Sequence, residues 1–268
     1  DFSDSSSTHN TGAVKIVNDI WKRCGWLTPP QKTYTGNYDV RIGVDGFPID
    51  LFYDNDNTGE NIYLGKYNFN NEKSGSAAIY GFEGIEGFND AAALNGQRNK
   101  CICLEFLNNS ETLCLFGTAD MASFADALEF RFKADDTWET ANEEDKAAVK
   151  RLWSWILSCK GNPSKFYAEY NDYFDNESPF AWYVITDYFM AVDNRAKNMM
   201  LVTWDGLHWQ FIPYDMDTIF GERNDSVLKY DYTITWETLD KSIGSYAFAG
   251  HDSILWQLVR GCPDKLRE

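Results

Sequence analysis

The sequence has no apolar stretch of the roughly 20 residues that a membrane helix needs, so it predicts no membrane span. Positive charge is scarce: 24 Lys and Arg stand against 41 Asp and Glu, a formal charge of −17. A nucleic-acid surface requires clustered Lys and Arg, so no nucleic-acid partner is expected. The six cysteines, Cys24, Cys101, Cys103, Cys114, Cys159 and Cys262, include no C-x-x-C pair. Cys101 and Cys103 alternate with apolar residues on an expected strand, which favours buried small hydrophobes over disulfides or metal ligands. The three histidines show no metal-ligand spacing, and His208, beside an expected turn, reads as a cross-strand partner. A glycine-rich phosphate loop is also missing. Gly59 to Tyr67 has one residue too many between its glycines and Tyr where Ser or Thr should stand, and Gly81 to Gly87 reads as a surface loop. What the chain does have is core-forming material, 44% hydrophobic and 16% aromatic, in 268 residues. That is enough for one large domain or two lobes. Asp1 is not a natural start and the chain stops abruptly at Lys265 to Glu268, so a fragment is expected.

Periodicity and turn chemistry place the elements. Polar residues 1–11 lead into a helix with Val14, Val17, Ile20 and Trp21 on one face, stopped by Gly25 and followed by Pro29-Pro30. Tyr38 to Val44 and Phe47 to Tyr53 flank Asp45-Gly46 as a hairpin, Asp54 to Glu60 reads as a loop, and Asn61 to Asn70 is a third strand. Cys101 to Leu107 and Thr112 to Phe116 form another hairpin, with Leu128 to Lys133 beside it. Asn142 caps a helix whose first turn carries Glu143, Glu144 and Asp145 and whose apolar face holds Val149, Leu152, Trp153 and Ile156. A shorter helix covers Ser164 to Phe174, and Ser178 and Pro179 open another as cap and first helical residue. A last helix spans Asp252 to Arg260, after a polar, Tyr-rich stretch from Glu222 to Tyr246.

Chemistry concentrates between Thr186 and Gly221. Met199 to Trp204 and Leu207 to Pro213 read as strands about Asp205-Gly206, which suits a two-residue type I′ turn. That turn sets Asn198 opposite Pro213, and Asp215 then emerges two residues beyond, where Asp193 to Asn198 enters the ribbon. The converging carboxylate and amide oxygens suit a hard cation such as magnesium. The order also matters. In protein kinases an Asp takes the acceptor hydroxyl's proton, an Asn five residues on binds metal, and an Asp after a short hairpin holds the metals that bridge the phosphates. Asp193, Asn198 and Asp215 repeat that order, and alternation puts Asp217 on the side of Asp215. Arg195 either neutralises transferring phosphate or pairs with Asp193. For the phosphates, Lys73 with its neighbour Glu72 is the leading cation, and Arg41, on the first strand of the early meander, is a weaker one.

Val192-Asp193-Asn194-Arg195 with Asn198, followed by Trp209-Gln210-Phe211-Ile212-Pro213-Tyr214-Asp215-Met216-Asp217-Thr218-Ile219-Phe220-Gly221, resembles the CotH kinase family of spore-coat proteins, whose late motif reads W-x-F-I-P-W-D-x-D-x-x-F-G. Tyr214 stands where that motif has Trp. Asp4-Ser5-Ser6 with Asn10 is similar to the family's D-x-S-x-x-R-N, and Gly65 to Lys73 to its G-x-Y-x-x-x-E-K, while Ser74 to Asn176 carries no motif of the family. The resemblance implies an α+β, two-lobed atypical protein-kinase-like fold in a single domain over residues 1–268. A small antiparallel-sheet lobe would occupy about 1–135. A larger, mostly helical lobe carrying the metal-binding hairpin would occupy about 136–268. It implies phosphoryl transfer from ATP to a protein hydroxyl with Mg2+ or Mn2+, catalysed through Asp193 and Arg195. Asn198, Asp215 and Asp217 would be on metal, and Lys73, Glu72 and Arg41 on nucleotide. In the family a phosphate-binding Lys stands on a strand before the D-x-S landmark, so it could precede Asp1. A surface, spore-coat, secreted or virion-associated setting is implied as well. Two other functions fit the same residues: a non-catalytic interaction module on this scaffold, and a metal-dependent phosphohydrolase.

Overall fold

The computed structural model describes residues 8–33, 41–55, 58–71, 100–106, 128–131, 138–191, 194–195, 198–220 and 253–268. The fold is mixed α and β. In chain order it runs α1 (His9–Cys24), α2 (Pro29–Thr33), β1 (Gly46–Asn55), β2 (Glu60–Asn70), β3 (Ile102–Phe106) and β4 (Leu128–Phe130). Then come α3 (Glu143–Ser158), α4 (Pro163–Glu169), a 3-10 turn at Tyr170–Asp172, α5 (Ser178–Tyr188), β5 (Met199–Thr203), β6 (Trp209–Pro213), α6 (Ile254–Arg260) and α7 (Pro263–Arg267).

The centre is a four-stranded antiparallel sheet in the order β4-β3-β5-β6. Because paired residues share a face and neighbours alternate, the register sorts the side chains cleanly. One face carries Leu104, Phe130, Leu201 and Phe211; the other carries Glu105, Glu129, Met200 and Ile212. The first face meets the helices through aromatic contacts: Phe211 lies against Phe174, Trp182 and Trp256. Burial of such rings dominates core energetics, at about 25 cal/mol per Å2 of apolar surface removed from water. The outer edge of β6 is covered rather than left open. Trp209 exchanges backbone hydrogen bonds with Tyr173 and Asp175, and the Phe211 amide donates to Ser178 Oγ at 2.7 Å.

The helix signals hold where local chemistry decides. Gly25 takes φ 74° and ends α1. Asn142 accepts the Asp145 amide at 2.9 Å, so the acidic first turn of α3 is helix-capping chemistry. On that helix Trp155 is buried and Trp153 only half-buried, so the apolar face is rotated from the expected one. Ser178 does not cap α5: the helix already includes it, and its hydroxyl is spent on β6.

Two expectations fail on longer-range chemistry. Residues 41–45 are not a strand, so Arg41 does not sit on a meander. Asn18 of α1 takes both hydrogen-bonding groups of Ile42, accepting its N–H at 2.9 Å and donating to its carbonyl at 3.0 Å. The segment's backbone is thereby satisfied without a ladder partner. Arg41 turns to Asp45 at 3.1 Å instead. The strand beginning at Gly46 pairs with β2, in a two-stranded ribbon with a bulge at Leu51/Phe52 opposite Gly65 (φ 129°). The hairpin at Asp205-Gly206 also shifts. Met199 faces Pro213 and Thr203 faces Trp209, one residue from the expected register, across a loop of residues 204–208. Only Gly206 has positive φ there, whereas a type I′ turn needs two such residues. Asp205 builds the loop with its side chain instead: Oδ1 accepts from the amides of Leu207 and His208 at 2.7 and 2.8 Å, and Oδ2 meets His208 Nδ1 at 2.6 Å. His208 therefore partners its own loop, not the opposite strand. The expected hairpin partner at Thr112 to Phe116, the glycine-rich 81–87 and the stretch after Gly221 lie outside the described residues.

Candidate active site

The far end of the β5–β6 ribbon, opposite the Asp205 loop, carries two of the candidate residues, Asn198 and Asp215. Asn194 is fully buried and its amide nitrogen donates to two carbonyls, Asn198 O at 2.8 Å and Tyr214 O at 2.9 Å. One side chain thus staples the residue that enters β5 to the residue that leaves β6. With this amide orientation both donors meet acceptors; the flipped orientation would point oxygen at oxygen. Asn198 and Asp215 come out on either side of that staple, both half-buried and both in the left-handed region, at φ 51° and 49°. Asn and Asp tolerate that conformation better than most residues, and such backbone clusters at functional sites. Met190 and Phe220, at φ 47° and 58°, flank the same region.

The segment after Asp215 is fixed from α1. Asn10 Oδ1 accepts the Met216 amide at 3.1 Å, and His9 Nδ1 lies 3.2 Å from the Asp217 carbonyl. Asp215 and Asp217 are half-buried while Met216 and Thr218 are buried. The burial alternates as extended chain would, although φ at Asp215 shows that the backbone is not extended there.

Arg195 lies inside the protein. Its guanidinium is completely buried, stacks 3.8 Å over the Tyr183 ring, and donates to Thr186 Oγ1 (2.9 Å), Tyr183 O (2.7 Å) and Asp187 Oδ1 (3.2 Å). Burial pushes its pKa down to about 10, only partly offset by Asp187. The backbone carbonyl of Arg195 accepts the Trp256 indole N–H at 2.9 Å, and the Asn194 carbonyl accepts that of Trp182 at 2.9 Å. Helices α5 and α6 therefore both grip the loop that holds Asn194.

On the polar face of the sheet, Tyr214 interacts with Glu105, which pairs with Arg131; Arg131 also pairs with Glu129. Burial first, then the charges of Glu105 and Asp215, push the Tyr214 phenol well above its ordinary value.

Asp193, Glu72 and Lys73 lie outside the described residues. Arg41 carries an ion pair to Asp45, which Lys15 also approaches at 3.6 Å. Among the described residues no three His, Cys, Asp or Glu side chains group as a metal site. Asn198 and Asp215 still fit a magnesium-class cation, because such an ion needs only one or two protein oxygens and fills its remaining positions with water and phosphate oxygens. Sequence reasoning missed Asn194, Glu105 and Arg131. The last two could have been found as charges embedded in runs that otherwise read as buried strand; nothing in the spacing marks Asn194.

The hairpin end thus carries Asp215 and Asp217, is stapled by the buried Asn194 amide and is backed by a mixed α and β framework. The CotH kinase protein family matches residues 95–253, more than half of the chain, and the chain belongs to that family. The match takes in Asp193, Asn198, Asp215 and the stretch from residue 95 that showed no motif, and it starts after the two early landmarks. Among curated proteins no match is found. None of the described helices is long and apolar enough to cross a membrane.

Proposed function

We propose that this chain is an atypical protein kinase that transfers the γ-phosphoryl group of ATP to a protein hydroxyl, using Mg2+ or Mn2+. The observation that carries the reading is the Asn194 staple, which joins the carbonyls of Asn198 and Tyr214 within a segment matched by a kinase family. Asp193 orients the acceptor hydroxyl and receives its proton as the new O–P bond forms and the bond to the ADP leaving group breaks. Asn198 and Asp215 supply the protein oxygens for the cation, with Asp217 as a further donor. When bound, the divalent cation neutralises phosphate charge and ATP provides the phosphoryl group. Arg195, enclosed by Tyr183, Thr186 and Asp187, acts by positioning the loop of Asp193 to Asn198 rather than by touching phosphate. Lys73 with Glu72, and Arg41 more weakly, remain the proposed phosphate contacts. The two-lobed arrangement, with a boundary near residue 135, belongs to the same proposal.

One observation favours a second reading. The β1–β2 ribbon exposes Phe47, Phe52, Tyr53, Tyr63 and Phe69, a surface suited to an interaction module on a kinase-like scaffold. Transfer of label from ATP with Mg2+ or Mn2+, to the protein itself and to a generic acidic protein, separates the readings. Asp193→Asn and Asp215→Asn should each lower transfer by at least about 100-fold. Transfer that survives both substitutions sinks the kinase assignment. Absence of nucleotide binding favours the interaction module, and free phosphate without labelled protein favours a hydrolase.

A further inference from the structure

Residue 214 is held at two points. Its carbonyl is clasped by Asn194 at 2.9 Å, and its phenol interacts with Glu105 on β3, whose charge and side chain both raise the Tyr214 pKa. Glu105 is 6% exposed and is tied to Arg131, whose other partner is Glu129 on the same strand segment. The register puts Glu105 and Tyr214 on one face of the sheet. Glu105 pairs with Met200 and Met200 with Ile212, so Glu105 and Ile212 share a face, and Tyr214 lies two residues further along it. Beyond Asp215, the Met216 amide is held by Asn10. Asp215 is thus a left-handed residue between two anchored neighbours, and its carboxylate direction depends on those anchors.

The cluster is unsuited to contacting phosphate itself. One guanidinium between two carboxylates leaves a net negative charge, which repels anions and favours cations nearby. Its remaining capability is mechanical and electrostatic support of Asp215. Outer partners of this kind orient metal-binding carboxylates and commonly change metal affinity by about 10- to 100-fold when removed.

We propose that Tyr214, through its hydroxyl on Glu105, is a positioning residue that sets Asp215 for cation binding; the proposal rests on the kinase reading for what that cation does. The requirement is a large aromatic ring with a hydrogen-bond donor at its rim. Tyr supplies an O–H and Trp an indole N–H, whereas Phe supplies neither.

The test uses Mn2+ alone as probe, followed by electron paramagnetic resonance, together with amide hydrogen exchange of residues 213–217. Tyr214→Phe should weaken Mn2+ binding about tenfold and speed exchange in that segment, with a melting temperature within about 4 °C of wild type. Tyr214→Trp should restore both. Unchanged Mn2+ affinity and unchanged exchange in Tyr214→Phe would overturn the proposal while leaving the kinase reading intact. A wild-type protein that binds no Mn2+, but whose Tyr214→Phe variant still loses exchange protection, would support the positioning role and overturn the metal assignment instead. Equal loss in the Phe and Trp variants would overturn it too, since the donor would then not be what matters.

Discussion

Asn194 makes the sharpest case at the scale of single residues, because one amide nitrogen serves two buried carbonyls. Asn194→Ala leaves both without that donor, and a buried polar group left unsatisfied costs about 1–3 kcal/mol. The expected outcome is a loss of about 2 kcal/mol in urea unfolding, accompanied by loss of phosphoryl transfer. Asn198 separates backbone from side chain. Asn198→Gly suits φ 51°, so stability should stay within about 1 kcal/mol of wild type while Mn2+ binding is lost. Retained Mn2+ binding in that variant would remove Asn198 from the metal site. Arg195 tests a different point. Its guanidinium reaches Thr186, Tyr183 and Asp187 at once, which a Lys ammonium cannot do. Arg195→Lys should therefore behave like Arg195→Met. Both should lose about 2–3 kcal/mol in denaturant unfolding, less than a fully buried ion pair would, because Asp187 is half exposed and stays solvated. Rescue by Lys would mean that charge alone matters there.

Elements differ in how far local sequence decides them. The Asp205 loop is held by one carboxylate. Burial alone would raise its pKa, but the amides of His208 and Leu207 and the His208 ring outweigh this and hold it below the ordinary 3.8. The sign follows directly: a carboxylate depressed in the folded state adds stability above its unfolded pKa, and that stability disappears as pH falls through the folded value. Thermal melts of wild type should therefore lose more stability below pH 3.8 than those of Asp205→Ala, which has nothing there to lose. Identical acid limbs would remove Asp205 as the anchor. This loop also explains what could be read in advance. Gly25, Asn142 and the Asp-Gly pair act within a few residues, so the C-terminal end of α1, the start of α3 and the existence of the β5–β6 hairpin were legible. The register was not, because a side-chain-built loop and a type I′ turn share the same Asp-Gly letters. Nor was the fate of residues 41–45, because Asn18, more than twenty positions away, decides it. The same holds for the site. Asn198 and Asp215 are candidates from spacing, whereas the Asn194 staple and the Glu105–Arg131 pair depend on contacts that only the assembled sheet creates.

For the whole molecule, the kinase proposal together with the formal charge of −17 predicts an order of ligand binding. A tetra-anionic nucleotide approaching an acidic protein meets repulsion from the global field and again from Asp215 and Asp217, and no described cation cluster offsets it. On that proposal, cation binding is expected to precede or accompany nucleotide binding. In calorimetry, ATP with a chelator should give no measurable heat of binding, while ATP with Mg2+ or Mn2+ should bind. Ligand at about 100 times its dissociation constant stabilises the folded state by about 2.7 kcal/mol. For a chain of this size that corresponds to a rise in melting temperature of about 5–10 °C. Asp215→Asn should show no such rise, and chelation should reverse it in wild type. Raising salt should also stabilise the ligand-free protein by screening its self-repulsion, but without the nucleotide dependence. Binding of metal-free ATP as tight as that of its Mg2+ complex would show that a basic phosphate site dominates and that the acidic pair is not the entry point.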